Sequence, residues 1–176
     1  MYSKYIKRLL DIIFGIILFI LLLPIILITI IITLIDLGLP IHNEIRLREG
    51  KNKKIFTMYK IRTKKLPGNS EYTRVSRIID RLRLNELPQL INVIKGDMSL
   101  VGPRPFIPND ELPEGKISEK RYLVRPGITG LAQVNGGRNI THKAKLKYDI
   151  IYYDNLSFIL DLKIVLKTIL LLFQNR

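Results

Sequence analysis

The chain of 176 residues contains no cysteine, which excludes disulfides, thiolate nucleophiles and cysteine-based zinc sites and is compatible with a reducing compartment. It has no internal repeat and no low-complexity tract, so an array is excluded and the length suits one domain with its own core. Nucleotide and metal signatures are missing as well: there is no Gly-x-Gly-x-x-Gly, no Walker A sequence, no His-rich tract and no Ser/His/Asp arrangement. The two histidines, His42 and His142, stand alone and read as surface residues. Acid is scarce, with 15 Asp+Glu against 29 Lys+Arg and a formal charge of +14. That balance favours anionic partners such as phosphates, nucleic acid or acidic lipid head groups, without choosing among them.

Apolar residues are concentrated at one end. Ile12 to Ile35 are 24 residues without a charge, about 36 Å as a helix at 1.5 Å per residue and long enough for a bilayer. The run is too long for a secretory signal, and no small-residue cleavage site follows it. Lys4, Lys7 and Arg8 precede it, and Arg46, Arg48, Lys51, Lys53 and Lys54 follow it, so the positive-inside rule draws both flanks to the cytoplasmic face. Pro24 lies near the middle, where a missing N–H and a clash with the preceding turn break or kink a helix. Two topologies are open on these residues: a re-entrant hairpin-like helix with its break at Pro24, and an ordinary kinked membrane anchor.

Beyond this segment the patterning predicts a β-hairpin from Glu44–Arg48 and Ile55–Arg62 around a polar turn, a loop over 64–72 with Pro67, Gly68 and Asn69, and a basic amphipathic helix over 74–83. Leu87, Leu90, Ile91 and Ile94 predict a helix over 86–95, with Pro88 in its first turn, Gly96 as its stop and Asn85 as N-cap. A carboxylate or bound phosphate at that N-terminus would meet free N–H groups; plain capping is the competing reading. Gly102-Pro-Arg-Pro105 holds Arg104 in a stiff turn suited to bidentate phosphate contact. Arg125-Pro-Gly and Gln133-Val-Asn-Gly-Gly-Arg138 are two further Arg-bearing turns, and together the three suggest a phosphate-rich ligand. From Ile159 to Phe173 the chain is mostly apolar but interrupted by Asp161, Lys163 and Lys167, which predicts an interfacial helix rather than a second span.

Taken in order, Pro24 in its apolar helix, Met58-Tyr-Lys-Ile-Arg-Thr63, Glu86-Leu-Pro-Gln-Leu-Ile-Asn-Val-Ile-Lys-Gly-Asp-Met-Ser-Leu-Val-Gly-Pro-Arg-Pro105, Arg125-Pro-Gly-Ile-Thr-Gly-Leu-Ala-Gln-Val-Asn-Gly136, Tyr148-Asp149 and Tyr152-Tyr153 resemble the bacterial sugar transferases, the monotopic phosphoglycosyl transferases. The resemblance covers nearly the whole chain. It implies an α+β fold integrated as one domain: a re-entrant membrane helix over 1–37, a small mixed catalytic domain with a β-hairpin over 38–158 on the cytoplasmic face of the bacterial inner membrane, and a C-terminal interfacial helix over 159–176. It also implies transfer of a sugar 1-phosphate from a UDP-sugar to a polyprenol phosphate such as undecaprenyl phosphate, releasing UMP through a covalent phosphosugar-enzyme intermediate, as the first membrane step of glycoconjugate assembly. Asn85 and Glu86 stand where the family has an Asp-Glu pair, the Asp being the nucleophile. Mg2+ held at Asn85 and Glu86 suits the phosphate oxygens. Lys60, Arg62, Arg81, Arg104, Arg125 and Arg138 are the expected phosphate-binding residues, and membrane lipid is an expected partner. A homodimer is left open.

Three departures bear on activity. Asn85 replaces the nucleophilic Asp, and an amide oxygen does not readily form an acyl phosphate, so this chain is expected to be inactive or impaired. Asp80 stands where members of the family often carry an Arg, and Arg81 or Arg83 is available for that role. The Arg of the family's Asn-Gly-Arg is displaced by one residue to Arg138. A non-catalytic membrane-surface binder of nucleotide sugar or polyprenol phosphate is the alternative function. A nucleic-acid binder fits the charge, but the basic residues are spread through loops and no recognised nucleic-acid motif occurs.

Overall fold

The apolar run forms α1 (Lys7–Leu37), which passes through Pro24 without ending. The computed structural model describes residues 2–38, 46–65, 71–108 and 116–174; His42, the loop residues Pro67, Gly68 and Asn69, and 109–115 lie outside them. One face of α1 is buried, at Lys7, Asp11 and Gly15 and again at Ile26, Thr29 and Thr33, a spacing that keeps side chains on one helical face. Near its start Arg8 donates to the carbonyls of Val93 and Ile94, and Asp11 Oδ1 accepts from Ser99 Oγ and the Leu100 N–H at 2.9 Å each. Near its end the Thr73 hydroxyl donates to Asp36 Oδ2 at 2.5 Å. Both ends of α1 are therefore tied to the same small body. The opposite face carries exposed Phe14, Ile17, Ile20, Leu21, Ile28, Ile31 and Ile35.

The expected hairpin is present but short: β1 (Leu47–Glu49) pairs antiparallel with β2 (Ile55–Thr57), Leu47 opposite Thr57 and Glu49 opposite Ile55. Asn52 and Lys53 take positive φ in the turn, the conformation that closes a tight hairpin. Beyond Thr57 the strand ends, and the chain is held by backbone bonds from the Met58 and Ile61 N–H groups to the Arg46 and Asn85 carbonyls and by Asn92, whose Oδ1 accepts from the Tyr59 N–H and whose Nδ2 donates to the Thr57 carbonyl. α2 (Arg74–Arg81) opens on a capping box between Thr73 and Ser76.

Asn85 is not the N-cap expected from the sequence. Residues Leu84–Glu86 form a single 3-10 turn, and α3 (Gln89–Lys95) starts after Pro88. Pro88 has helical φ and ψ and lacks an N–H, so it suits the entry to the helix and shifts its start beyond Asn85. Gly96 ends α3 with φ 98°, as its position predicted.

A parallel pair, β3 (Ser99–Val101) with β4 (Gly127–Thr129), was not foreseen. It requires glycine: a Cβ on Gly127 would lie 2.0 Å from the Gly102 nitrogen, and one on Gly102 would lie 2.4 Å from the Arg125 oxygen. α4 (Leu131–Val134), α5 (His142–Asp154) and α6 (Phe158–Phe173) complete the fold, with Thr141 and Ser157 capping the last two. Two apolar clusters form the core. Phe56, Met58, Val93 and Met98 join the hairpin to α3, Val101, Val134, Tyr152 and Ile164 join β3 to the C-terminal helices, and Leu100 packs against both. Asp161, expected to interrupt an interfacial face, instead points inward and accepts from Lys7 Nζ at 2.7 Å and from the hydroxyls of Tyr2 and Tyr152.

Candidate active site

The site begins with a backbone reversal. Arg83 adopts φ 60° and ψ 18°, a left-handed conformation uncommon for a residue with a Cβ and often found where geometry serves function. It ends α2 and turns the chain into the 3-10 turn, where the Glu86 N–H bonds the Arg83 carbonyl at 3.0 Å and the Ile61 N–H bonds the Asn85 carbonyl at 2.9 Å. That last bond brings the strand extension, and with it Lys60, alongside Glu86.

Glu86 becomes the centre of a charge cluster. Its Oε1 lies 3.3 Å from Arg83 Nη1, 3.4 Å from Arg104 Nη2 and 3.6 Å from Lys60 Nζ. The carboxylate is 8% exposed and Lys60 15%, whereas Arg83 and Arg104 are 41% and 49% exposed, so two guanidinium groups present their outer faces to solvent. Burial pushes the Glu86 carboxyl up, but Arg104, Lys60 and Arg83 outweigh it and hold it below the usual range. Burial lowers Lys60, with Glu86 opposing. Asn85 is fully buried; its Nδ2 donates to Asp80 Oδ1 at 2.9 Å, while its own Oδ1 has no partner.

Arg104 is set from below. The Gly102 N–H bonds the Thr129 carbonyl and the Gly127 N–H bonds the Pro103 carbonyl, extending the strand pair into the Pro-Arg-Pro turn. Arg121 donates from Nη2 to the Arg104 carbonyl at 2.5 Å and from Nε to Asp149 at 3.1 Å, and its guanidinium lies 3.4 Å from the centre of the Phe106 ring. Burial lifts the Asp149 carboxyl to about 6 although Arg121 opposes it.

The expected phosphate-binding residues are thus distributed unevenly. Lys60 and Arg104 meet at Glu86, joined by Arg83. Arg81 is exposed on the last turn of α2. Buried Arg62 donates to the Lys64 carbonyl. Arg125 bonds the Gly96 carbonyl at 2.9 Å, next to the carbonyls held by Arg8, so these two cations cap the C-terminal end of α3. Arg138 lies in the 3-10 turn Gly137–Asn139; its side chain is outside the described structure. Among the described residues no group of three His, Asp or Glu could hold a metal. Of the two residues expected to hold Mg2+, Asn85 has a buried carbonyl oxygen without a hydrogen-bond partner, and Glu86 turns its Oε1 to three cations.

The family described as bacterial sugar transferase matches residues 2–175. This chain belongs to the bacterial sugar transferase family. It is 42% identical over 174 residues to an uncharacterized sugar transferase, EpsL, of Bacillus subtilis, covering 93% of this chain and 85% of that protein. It is 46% identical over 110 residues to the UDP-glucose:undecaprenyl-phosphate glucose-1-phosphate transferase of Caulobacter vibrioides, covering 58% and 41%. It is 33% identical over 193 residues to the undecaprenyl-phosphate galactose phosphotransferase of Salmonella typhimurium, covering 94% and 40%. The chain thus spans less than half the length of the last two.

Several site residues of this sugar transferase escaped the sequence reading. Arg121 and Asp149 are separated by 28 positions, and no local spacing marks them as partners. Arg83 is named by the sequence only beside Arg81, as a stand-in for an Arg at the position of Asp80; the reversal that aims it appears only in the backbone.

Proposed function

We propose that this sugar transferase moves a sugar 1-phosphate from a UDP-sugar to a polyprenol phosphate, undecaprenyl phosphate, and releases UMP. The observation that carries the reading is the cluster of Lys60, Arg83 and Arg104 on buried Glu86, with two guanidinium faces open to solvent. Arg83 and Arg104 bind the diphosphate through charge-assisted hydrogen bonds and stabilise the charge that develops on the leaving phosphate. Lys60 adds a mostly desolvated positive charge, and Glu86 keeps the three cations converged when no substrate is present. In the covalent route a carboxylate oxygen attacks the sugar-bearing phosphorus, the bond to the UMP oxygen breaks, and the lipid phosphate then displaces the carboxylate. Each displacement forms one P–O bond and breaks one. Asn85 Oδ1 and Glu86 are the residues that would hold Mg2+, whose chemistry there would be charge neutralisation of the diphosphate.

The tethering of both ends of α1 to one body supports the re-entrant topology, since a straight 31-residue helix crossing a bilayer would separate its ends by about 46 Å. α1 is long and apolar enough to cross a membrane, and Thr29 bonds the Ile25 carbonyl just beyond Pro24, where back-bonding favours a bend. α6 adds exposed Phe158, Ile159, Leu162, Leu166 and Leu170 as an interfacial surface. With both basic flanks of α1 on one side, the catalytic body faces the cytoplasm.

Asn85 favours a second reading. An amide at the position of the family's nucleophile closes the covalent route from that residue, and a chain relying on it would bind nucleotide sugar without turning it over. The test is UMP release from UDP-glucose, UDP-galactose and UDP-N-acetylgalactosamine by the full chain in nanodiscs containing undecaprenyl phosphate, beside UMP binding by calorimetry. Release dependent on the lipid supports transfer; UMP binding without release supports the binder; neither would sink both readings.

A further inference from the structure

We propose that the carboxylate of Asp80, not residue 85, is the nucleophile of this chain. The proposal rests on the transfer reading above and concerns the group that begins it. Three side chains at the turn are candidates to attack phosphorus. Asn85 is an amide with no exposed surface, and its oxygen carries no charge. Glu86 is 8% exposed and its Oε1 faces three cations within 3.6 Å, which withdraw electron density and hold it as the anchor of the cluster. Asp80 is a carboxylate, unlike Asn85, and is half-buried where Glu86 is buried.

The backbone explains how a residue five positions earlier comes to this place. The left-handed Arg83 folds the 3-10 turn back against the last turn of α2, and the Arg83 N–H bonds the Asp80 carbonyl at 3.2 Å. The Asn85 amide then donates to Asp80 Oδ1 at 2.9 Å. The two side chains occupy adjoining positions, so a carboxylate at 80 reaches the neighbourhood from which one at 85 would act. The amide has a definite use there: a buried N–H donor orients the carboxylate. Asp80 also lies close enough to Lys60 to favour its charged form, which places it on the flank of the cation cluster.

The step balances without a co-reactant. An oxygen of ionised Asp80 attacks the sugar-linked phosphorus of the UDP-sugar, forming an acyl phosphate as the P–O bond to UMP breaks and UMP leaves with the electron pair. An oxygen of the polyprenol phosphate then attacks the same phosphorus and regenerates the Asp80 carboxylate.

The full chain in nanodiscs, without polyprenol phosphate, is incubated with UDP-glucose, UDP-galactose or UDP-N-acetylgalactosamine carrying 32P at the sugar-linked phosphate. Labelled protein is reduced with borohydride and mapped by mass spectrometry, an aspartyl phosphate becoming homoserine and a glutamyl phosphate 2-amino-5-hydroxypentanoate at its residue. The expected result is homoserine at position 80. Asp80→Asn is expected to lose the label and to lower lipid-dependent UMP release by about 10³-fold or more, with circular dichroism and UMP binding unchanged. Should that variant fail to fold, the mapping on the parent chain decides. Homoserine at another aspartate, 2-amino-5-hydroxypentanoate at Glu86 or another glutamate, or Asp80→Asn releasing UMP within about tenfold of the parent, overturns the proposal. A silent parent beside an active Asn85→Asp variant removes Asp80 and keeps the transfer reading; silence of both with all three sugars removes the transfer reading as well.

Discussion

Replacing Glu86 by Gln tests whether the charge cluster is an energetic unit. The change keeps the shape of the side chain and removes the negative charge facing Arg83, Arg104 and Lys60. The three cations do not lose equally. Arg83 and Arg104 are 41% and 49% exposed, so solvent screens them and each contributes about 0.5 kcal/mol or less. Lys60 is 15% exposed beside a carboxylate that is 8% exposed. Breaking a buried pair costs about 3–5 kcal/mol, and the 3.6 Å separation and remaining solvent access of this one reduce its share to about 2–3. The expected total is a loss of about 2–4 kcal/mol, or about 4–16 °C in Tm for a domain of this size. The chain has no tryptophan, so unfolding in nanodiscs is followed by circular dichroism at a fixed scan rate. A partner variant sharpens the test: Lys60→Met together with Glu86→Gln removes the stranded ammonium, and at least half of the lost Tm is expected to return. A Tm drop below about 2 °C for Glu86→Gln, or no recovery in the double variant, would refute the unit.

Three further predictions concern the scaffold. Gly127→Ala puts a Cβ 2.0 Å from the Gly102 nitrogen and 2.4 Å from the Thr129 oxygen, both backbone atoms, so the strand pair cannot close and extraction is expected to yield aggregated protein by size-exclusion chromatography. Asp11→Ala removes the acceptor shared by Ser99 Oγ and the Leu100 N–H, a loss of about 2–4 kcal/mol, whereas Asp11→Asn keeps an acceptor oxygen and is expected to lose less than half as much Tm. Asp149 is lifted from 3.8 to about 6 by burial, so the native state holds its proton more tightly than the unfolded chain. Its contribution to stability is complete below pH 3.8 and is lost as pH rises through about 6; the Tm of the parent relative to Asp149→Asn is expected to fall over that window, and a flat difference would contradict the assignment.

Local signals were legible where a short stretch decides its own conformation. The hairpin turn, the Gly96 stop and the helical pattern over 159–173 needed only neighbouring residues. Asn85 was misjudged for a local reason, because Pro88 competes with it for the helix entry and shifts the start of α3. The strand pair was missed because three-residue strands separated by 25 positions carry no periodic signal. Arg125 looked like a phosphate ligand because its Pro-Gly turn resembles that of Arg104; its different use, capping the end of α3, depends on where β4 lies beside β3.

The sequence by itself determined that this chain carries a helix able to enter a membrane, an excess of cationic side chains suited to phosphate, and the ordered motifs of a sugar transferase. Those properties belong to composition and to runs of adjacent residues, and no fold is needed to express them. Which cations converge was decided by tertiary structure alone. Lys60, Arg83 and Arg104 meet on Glu86 because the strand extension, the left-handed turn and the Pro-Arg-Pro loop are each held by bonds between distant residues. The same reversal at Arg83 brings Asp80 against Asn85, so the carboxylate missing from one position in the sequence stands next to it in space.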